Sequence, residues 1–238
     1  MKQKLNTGVL LLSLGVGTAF ADLVSLGPDT LSGQGLGHVD TVLTMQSPGS
    51  STTESGCVGA GVGGTTVTGS SKCPGNGPNG GNAFTGGDEI AINNAFSASS
   101  LGLTDFNNLR ILFNADQPAG GPISLGNLAL TLWNPTNGQI LDARYVVNPP
   151  VNFASTNPGI GNAGFFFGLT PAEAAVENGI LAAFPNLFIG LDANASMATG
   201  GPETFSVGVS SAVPEPAAFV PIALVMAVFA LRKRLQFR

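Results

Sequence analysis

Leu128-Ala129-Leu130-Thr131-Leu132-Trp133-Asn134-Pro135-Thr136-Asn137-Gly138-Gln139-Ile140-Leu141-Asp142-Ala143-Arg144-Tyr145-Val146-Val147 is the most telling stretch of this chain. Leu128, Leu130 and Leu132 alternate with small or polar residues, so an extended strand here has one apolar face. Asn134 to Gly138 is turn chemistry, in which Pro presets φ and Asn and Gly accept a left-handed backbone. Leu141–Val147 then resumes strand composition, and the two runs predict an antiparallel hairpin. Trp133 closes the first strand, where its ring is either core or a platform for stacking on sugar.

The same period of two runs outward in both directions. Leu109, Ile111 and Phe113 share a face, as do Leu187, Ile189 and Leu191. Phe205, Val207 and Val209 alternate with Ser206, Gly208 and Ser210, and Phe165–Leu169 is a short apolar run. Strands separated by Gly, Pro and Asn turns predict a mainly β chain, an antiparallel β-sandwich of jelly-roll-like kind. One helix interrupts it. Thr170 caps, Pro171 takes the first helical position and Glu173 completes a capping box, so the helix is expected over Pro171–Phe184 and Pro185 ends it.

Composition narrows the class. Of 238 residues 43% are hydrophobic and only 10% charged, with 34 Gly and 16 Pro, which excludes collagen, coiled coil and a helical bundle. All 14 acids lie between Asp22 and Glu215, where only Lys72, Arg110 and Arg144 are cationic, a balance of −11. Such a body repels phosphate backbones, and no nucleic-acid partner is expected. From Ser47 to Asp88 Gly, Ser and Thr dominate and no period persists, which reads as a long loop. Its fixed points are Cys57 and Cys73, the only cysteines. In an oxidising compartment such a pair reads as a disulfide, whose closure contributes roughly 3 kcal/mol.

The ends give the destination. Lys2 and Lys4, the apolar run Val9–Val16 and Ala19-Phe20-Ala21 have the order of a secretory signal peptide over residues 1–21, to be cut by signal peptidase after Ala21. An exported domain then spans 22–212 and a tail 213–238. In the tail Pro214-Glu215-Pro216 precedes Ala217–Leu231, which carries no charge, and then Arg232-Lys233-Arg234. A helix over 217–231 is about 22 Å long against a hydrocarbon core of ~30 Å, and snorkelling cations can close the gap. The cationic cluster stays cytoplasmic and the body lies outside.

This three-part tail resembles a PEP-CTERM sorting domain, the signal handled by exosortases in Gram-negative bacteria. The resemblance implies that Pro214, Glu215 and Pro216 are recognised by an exosortase-type enzyme. It also implies that the transmembrane helix holds the protein in the inner membrane only before processing, and that the product goes to the cell surface or extracellular matrix. Proteins with this tail often accompany exopolysaccharide. Leu109–Pro118, Ile123–Arg144 and Ala198–Val207 are similar to stretches of other such exported proteins, which implies one domain over about 90–209.

Convergent chemistry is sparse. The single histidine, His38, has Asp40 nearby but no nucleophile motif to serve. Gly59-Ala60-Gly61-Val62-Gly63-Gly64 fits a dinucleotide pattern in letters, with neither the strand before it nor the helix after it expected. Asp192, Asn194, Ser196 and Glu203 fall at places one, three, five and twelve of a calcium loop, although Met197 stands at the sixth, where Gly is wanted. Calcium is thus the one candidate cofactor. These readings predict a non-enzymatic exported structural or interaction protein associated with exopolysaccharide. The alternative is a carbohydrate-binding sandwich, assisted by calcium and using Trp133, and a glycoside hydrolase ranks below both.

Overall fold

The computed structural model describes residues 22–28, 40–46, 49–68, 73, 93–117, 121–146, 151–153 and 163–210. The hairpin forms as its residues dictate: strand β7 (Ile123–Trp133) pairs antiparallel with β8 (Ile140–Val146). Its turn is closed by Asn134 N–H donating to Gln139 O at 2.8 Å and by Gly138 in the left-handed region at φ 66°. Around it stand β1 (Asp22–Pro28), β2 (Asp40–Met45), β3 (Thr53–Ala60), β4 (Thr66–Thr68), β5 (Phe96–Ser97) and β6 (Leu109–Ala115). Then follow β9 (Val151–Phe153), β10 (Ala163–Leu169), helix α1 (Pro171–Ala183), β11 (Phe188–Ser196) and β12 (Glu203–Val209).

Hydrogen bonding runs in the order β2-β12-β6-β10-β1-β8-β7-β11-β3-β4, with β9 beside β7 and β5 beside β11. All twelve strands join in one hydrogen-bonded sheet, which folds over on itself in a sandwich-like arrangement, its β2 end coming back against β3 and β11. Pairing is antiparallel except at the seam, where Asp22 and Leu23 of β1 run parallel to Tyr145 and Val146 of β8. Among the described residues the chain is therefore mainly β and antiparallel with one α-helix, as its alternation predicts.

The alternating residues fill the interior. Leu109, Ile111, Phe113, Leu128, Leu130, Leu132, Leu187, Ile189 and Leu191 are all buried in one core. Phe113 stacks on Phe205 with ring centroids 4.8 Å apart, and Phe153 lies 4.3 Å from Phe165; each such pair adds about 0.5–1.5 kcal/mol to its area burial. In β7 the inward positions are Ile123 and Leu125 before a register shift and Leu128, Leu130 and Leu132 after it. A bulge at Gly126 absorbs the extra residue and keeps both runs facing the core.

Helix α1 starts on Thr170, whose Oγ1 accepts from the Glu173 amide at 3.4 Å, and ends with Phe184 as its C-cap. Asn178 ties it to the segment before β6, accepting from Phe106 N–H and donating to Asp105 Oδ1, both at 2.8 Å. Glu177 ties it to Arg144 on β8.

Two expectations are corrected. Residues 47–88 are not one loop: β3 and β4 form a hairpin inside this segment, and β3 is paired along its length with β11. Its glycines and serines hide the alternation, because the bulk that covers β3 comes from neighbours such as Trp133. The span of about 90–209 implied by the resemblance is too short at its front, since β1 to β4 belong to the same hydrogen-bonded sheet, inside the 22–212 expected for the exported domain. Residues 1–21, His38 and the tail 213–238, with Pro214, Glu215, Pro216, Arg232, Lys233 and Arg234, lie outside the described residues. Among the described residues no helix is long and apolar enough to cross a membrane.

Candidate functional site

Strand β11 sorts its side chains by the pleat. Ile189, Leu191, Ala193 and Ala195 face the core, so Gly190, Asp192, Asn194 and Ser196 face the other side of their layer. In register, Asp192 lies between Ala129 of β7 and Cys57 of β3, and Asn194 between Asn127 and Ser55. Tyr145 of β8 is the next residue across from Ala129. The outer face of this layer thus gathers Asn127, Asp192, Asn194, Ser55 and Tyr145. Asn127 Nδ2 donates to Asp192 Oδ1 at 3.2 Å, while Asp192 Oδ2 is buried without a partner. Burial pushes the Asp192 carboxyl up to about 8, against the pull of the Asn127 amide. The Tyr145 phenol is raised too, first by burial and then by the charges of Asp192 and Asp142.

The four residues with calcium-loop spacing do not converge. Asp192, Asn194 and Ser196 sit two residues apart on an extended strand, steps of roughly 6.6 Å, where calcium ligands must close to about 2.3–2.6 Å around one ion. Glu203 begins β12, which does not adjoin β11 in the sheet, and faces the interior. Met197 does take the left-handed backbone that the sixth place wants, at φ 60°. It does so at the exit of a strand, not inside a loop. Among the described residues no group of three or more His, Cys, Asp or Glu is placed to hold a metal ion.

Trp133 is almost wholly enclosed. It is 1% exposed, and its Nε1 donates to Thr131 Oγ1 at 2.7 Å. A Cβ at Gly59 would lie 2.2 Å from the indole, and one at Gly190 would lie 2.9 Å from Nε1, so both glycines are space for the ring. Trp133 also lines an open depression of about 510 Å³, together with Gly61, Val62, Asn137, Gly138, Gln139 and Ile140. Val62 and Ile140 are exposed there, and Asn137 Nδ2 donates to Gln139 Oε1 at 3.0 Å. The glycine-rich Gly59–Gly64 begins within a strand, as the last two residues of β3, but it turns into β4 through a single 3-10 turn at Val62–Gly64. No α-helix N-terminus is offered to a phosphate.

The disulfide is present: Cys57 and Cys73 are joined with Cα atoms 6.0 Å apart, and both are buried. Because Cys57 neighbours Asp192 across the strands, the cross-link lies on the same outer face.

A second ionic group escapes the sequence. On β8 Asp142 and Arg144 pair with Leu132 and Leu130 and so share their inward side. Arg144 holds Asp142 Oδ2 through Nη2 at 2.5 Å and Glu177 Oε1 of α1 through Nε. Burial drives the Glu177 carboxyl up to about 7, opposed by Arg144. The signal for such residues is an ionisable side chain in phase with an apolar stripe, as Arg144 and Asp142 are with the interior of the hairpin. No family model matches the chain, and no curated protein or solved structure is similar to it.

Proposed function

We propose that this chain is an exported β-sandwich protein, sorted through its PEP-CTERM-like tail to the cell surface or extracellular matrix, where it has a non-enzymatic structural or interaction role with exopolysaccharide. The observation that carries this reading is the Cys57–Cys73 disulfide built onto a sheet face, since such cross-links persist outside the reducing cytosol. Two placements support it. Strand β1 starts at Asp22, directly after the expected cleavage at Ala21, and β12 ends at Val209, shortly before Pro214-Glu215-Pro216. The repeated passage of the chain between the two sides of its folded sheet supports a jelly-roll-like wrap. Asp192, Glu177 and Glu203 are all enclosed, and an acid that a substrate cannot reach supports a non-enzymatic role.

The test is intact-mass measurement on the full chain expressed in a Gram-negative host with and without an exosortase-type enzyme. With the enzyme, the recovered protein should lack residues 1–21 and the tail helix and should carry two hydrogens fewer than its reduced mass. Replacing Pro214, Glu215 and Pro216 by Ala should leave it in the inner-membrane fraction. Untrimmed protein in the cytosolic fraction with both thiols titratable would refute the reading.

A carbohydrate-binding role is the second reading, favoured by the open depression that Trp133 helps to line, with its amides and exposed aliphatics. Saturable binding on a glycan array, lost on replacing Asn137 and Gln139 by Ala, would promote it.

A further inference from the structure

Helix α1 carries its charges on the inside. Ala172, Ala175, Val176, Gly179, Ala182 and Ala183 are exposed on it, whereas its two acids, Glu173 and Glu177, are buried with Ala174 and Leu181. The helix connects β10 to β11, which β1, β8 and β7 separate in the sheet, so it crosses from one side of the folded sheet to the other. Asn178 fastens it on the first side, to Phe106 N–H and Asp105 Oδ1. Glu177, the preceding residue, fastens it to Arg144 of β8.

One arginine serves two carboxyl groups there. Arg144 meets Glu177 Oε1 through Nε and Asp142 Oδ2 through Nη2, so with both acids ionised the group keeps one negative charge. The Glu177 side chain is 0% exposed and its Oε2 is buried without a partner, whereas the Asp142 side chain is 28% exposed. Water can solvate the charge of Asp142 and cannot reach that of Glu177, so the enclosed carboxylate is the one to take a proton. Among the described residues the remaining cation, Arg110, donates to the carbonyls of Asn107 and Leu109. The other ionisable groups around the helix are otherwise placed. Asp105 accepts from Asn107 and Asn178, Glu173 meets the Thr170 hydroxyl, and Tyr145, next after Arg144, points to the opposite face of β8. Strand β10 brings no ionisable side chain.

We propose that Glu177, Arg144 and Asp142 form a proton-set latch, which holds α1 against β8 while Glu177 is protonated and lets the helix open away from β8 once that proton has passed to water. The protonated acid leaves Arg144 balanced by Asp142 alone and still accepts from it through Oε1. Burial is the first cause that pushes the Glu177 carboxyl up from its ordinary 4.5 to about 7; Arg144 pulls it down and Asp142 pushes it up. Because the folded value lies above the ordinary one, the latch is at full strength below about pH 4.5, weakens as pH climbs and is lost through about 7. The inference goes beyond the sorting reading and does not depend on it.

The experiment labels the glutamate carboxyls of the full chain with 13C and assigns the Glu177 signal by NMR through its own backbone. That signal should titrate near pH 7, moving up in Arg144→Met and down in Asp142→Asn. Amide exchange along α1 should accelerate about tenfold per pH unit between about pH 4.5 and 7, beyond its intrinsic rise, and then level off. Glu177→Gln should flatten this profile, and Asp192→Asn, which removes a raised acid elsewhere, should leave it in place. A wild-type Glu177 already ionised at about pH 5.5 would overturn the proposal even if no variant folded. So would a Glu177→Gln variant with the wild-type α1 profile. A profile that Asp192→Asn flattens as much as Glu177→Gln does would mark global unfolding and overturn it as well.

Discussion

Trp133 sits on glycine, and the arrangement can be broken from either partner. At Gly190 an added Cβ would lie 2.1 Å from the Val58 carbonyl oxygen and 2.7 Å from Thr131 Oγ1, so backbone must move to admit it. Gly190→Ala should therefore destabilise the domain by about 1–3 kcal/mol, read by thermal melting. Trp133→Ala should cost about 3–5 kcal/mol by leaving a cavity. Trp133 is the chain's single tryptophan. Its fluorescence should resist acrylamide quenching in the native state and become quenchable on unfolding; ready quenching of folded protein would contradict its burial. At this scale the sequence was readable for the core leucines and misleading for the acids. Asp192 is out of phase with Leu191 and so reads as solvent-facing, yet it is 0% exposed because the outer face of its layer is itself covered. Glu54 and Glu203 carry the reverse signal, acids in phase with Val58 and Phe205, which alternation does reveal once β3 is recognised as a strand.

Helix α1 and the β7–β8 hairpin were legible as elements because their signals are local. A cap, a proline and an alternating stripe act over a few residues. Thr170→Ala should cost about 1 kcal/mol through loss of the N-cap, measured by chemical denaturation. Strand β3 was not legible, since its stability comes from pairing with β11 and β4 and from the disulfide. Replacing Cys57 and Cys73 by Ser should lower stability by about 3 kcal/mol in the chain-entropy account. Protection in amide exchange should fall first over β3 and β4. An oxidised and a reduced protein with equal melting temperatures would show that the pleated pairing alone suffices.

The whole molecule carries several enclosed acids whose folded values are raised: Glu177 to about 7, Asp192 to about 8 and Glu203 to about 9. Each is neutral more readily in the fold than in the unfolded chain. Their contribution is complete below the ordinary carboxylate range and disappears as pH climbs through these values. Asp105 works the other way, lowered first by its bond from Asn178 and then by Asn107. The melting temperature should accordingly be highest near the ordinary carboxylate range, about pH 4, fall as pH rises toward about 9, and level off above it. A melting temperature that climbs over this interval would be incompatible with the buried acids.

The seam formed by β1 has a consequence for how the domain is made. Leu23 is paired on one side with Val146 and on the other with Leu169, so the earliest strand waits for partners from the second half of the chain. A polypeptide threaded N-terminus first through a translocation pore would expose β1 as an open edge until those residues arrived. On the proposed export route, a tether holding Asp22 close to the pore would delay closure of the sheet, and its severing would become a step in assembly.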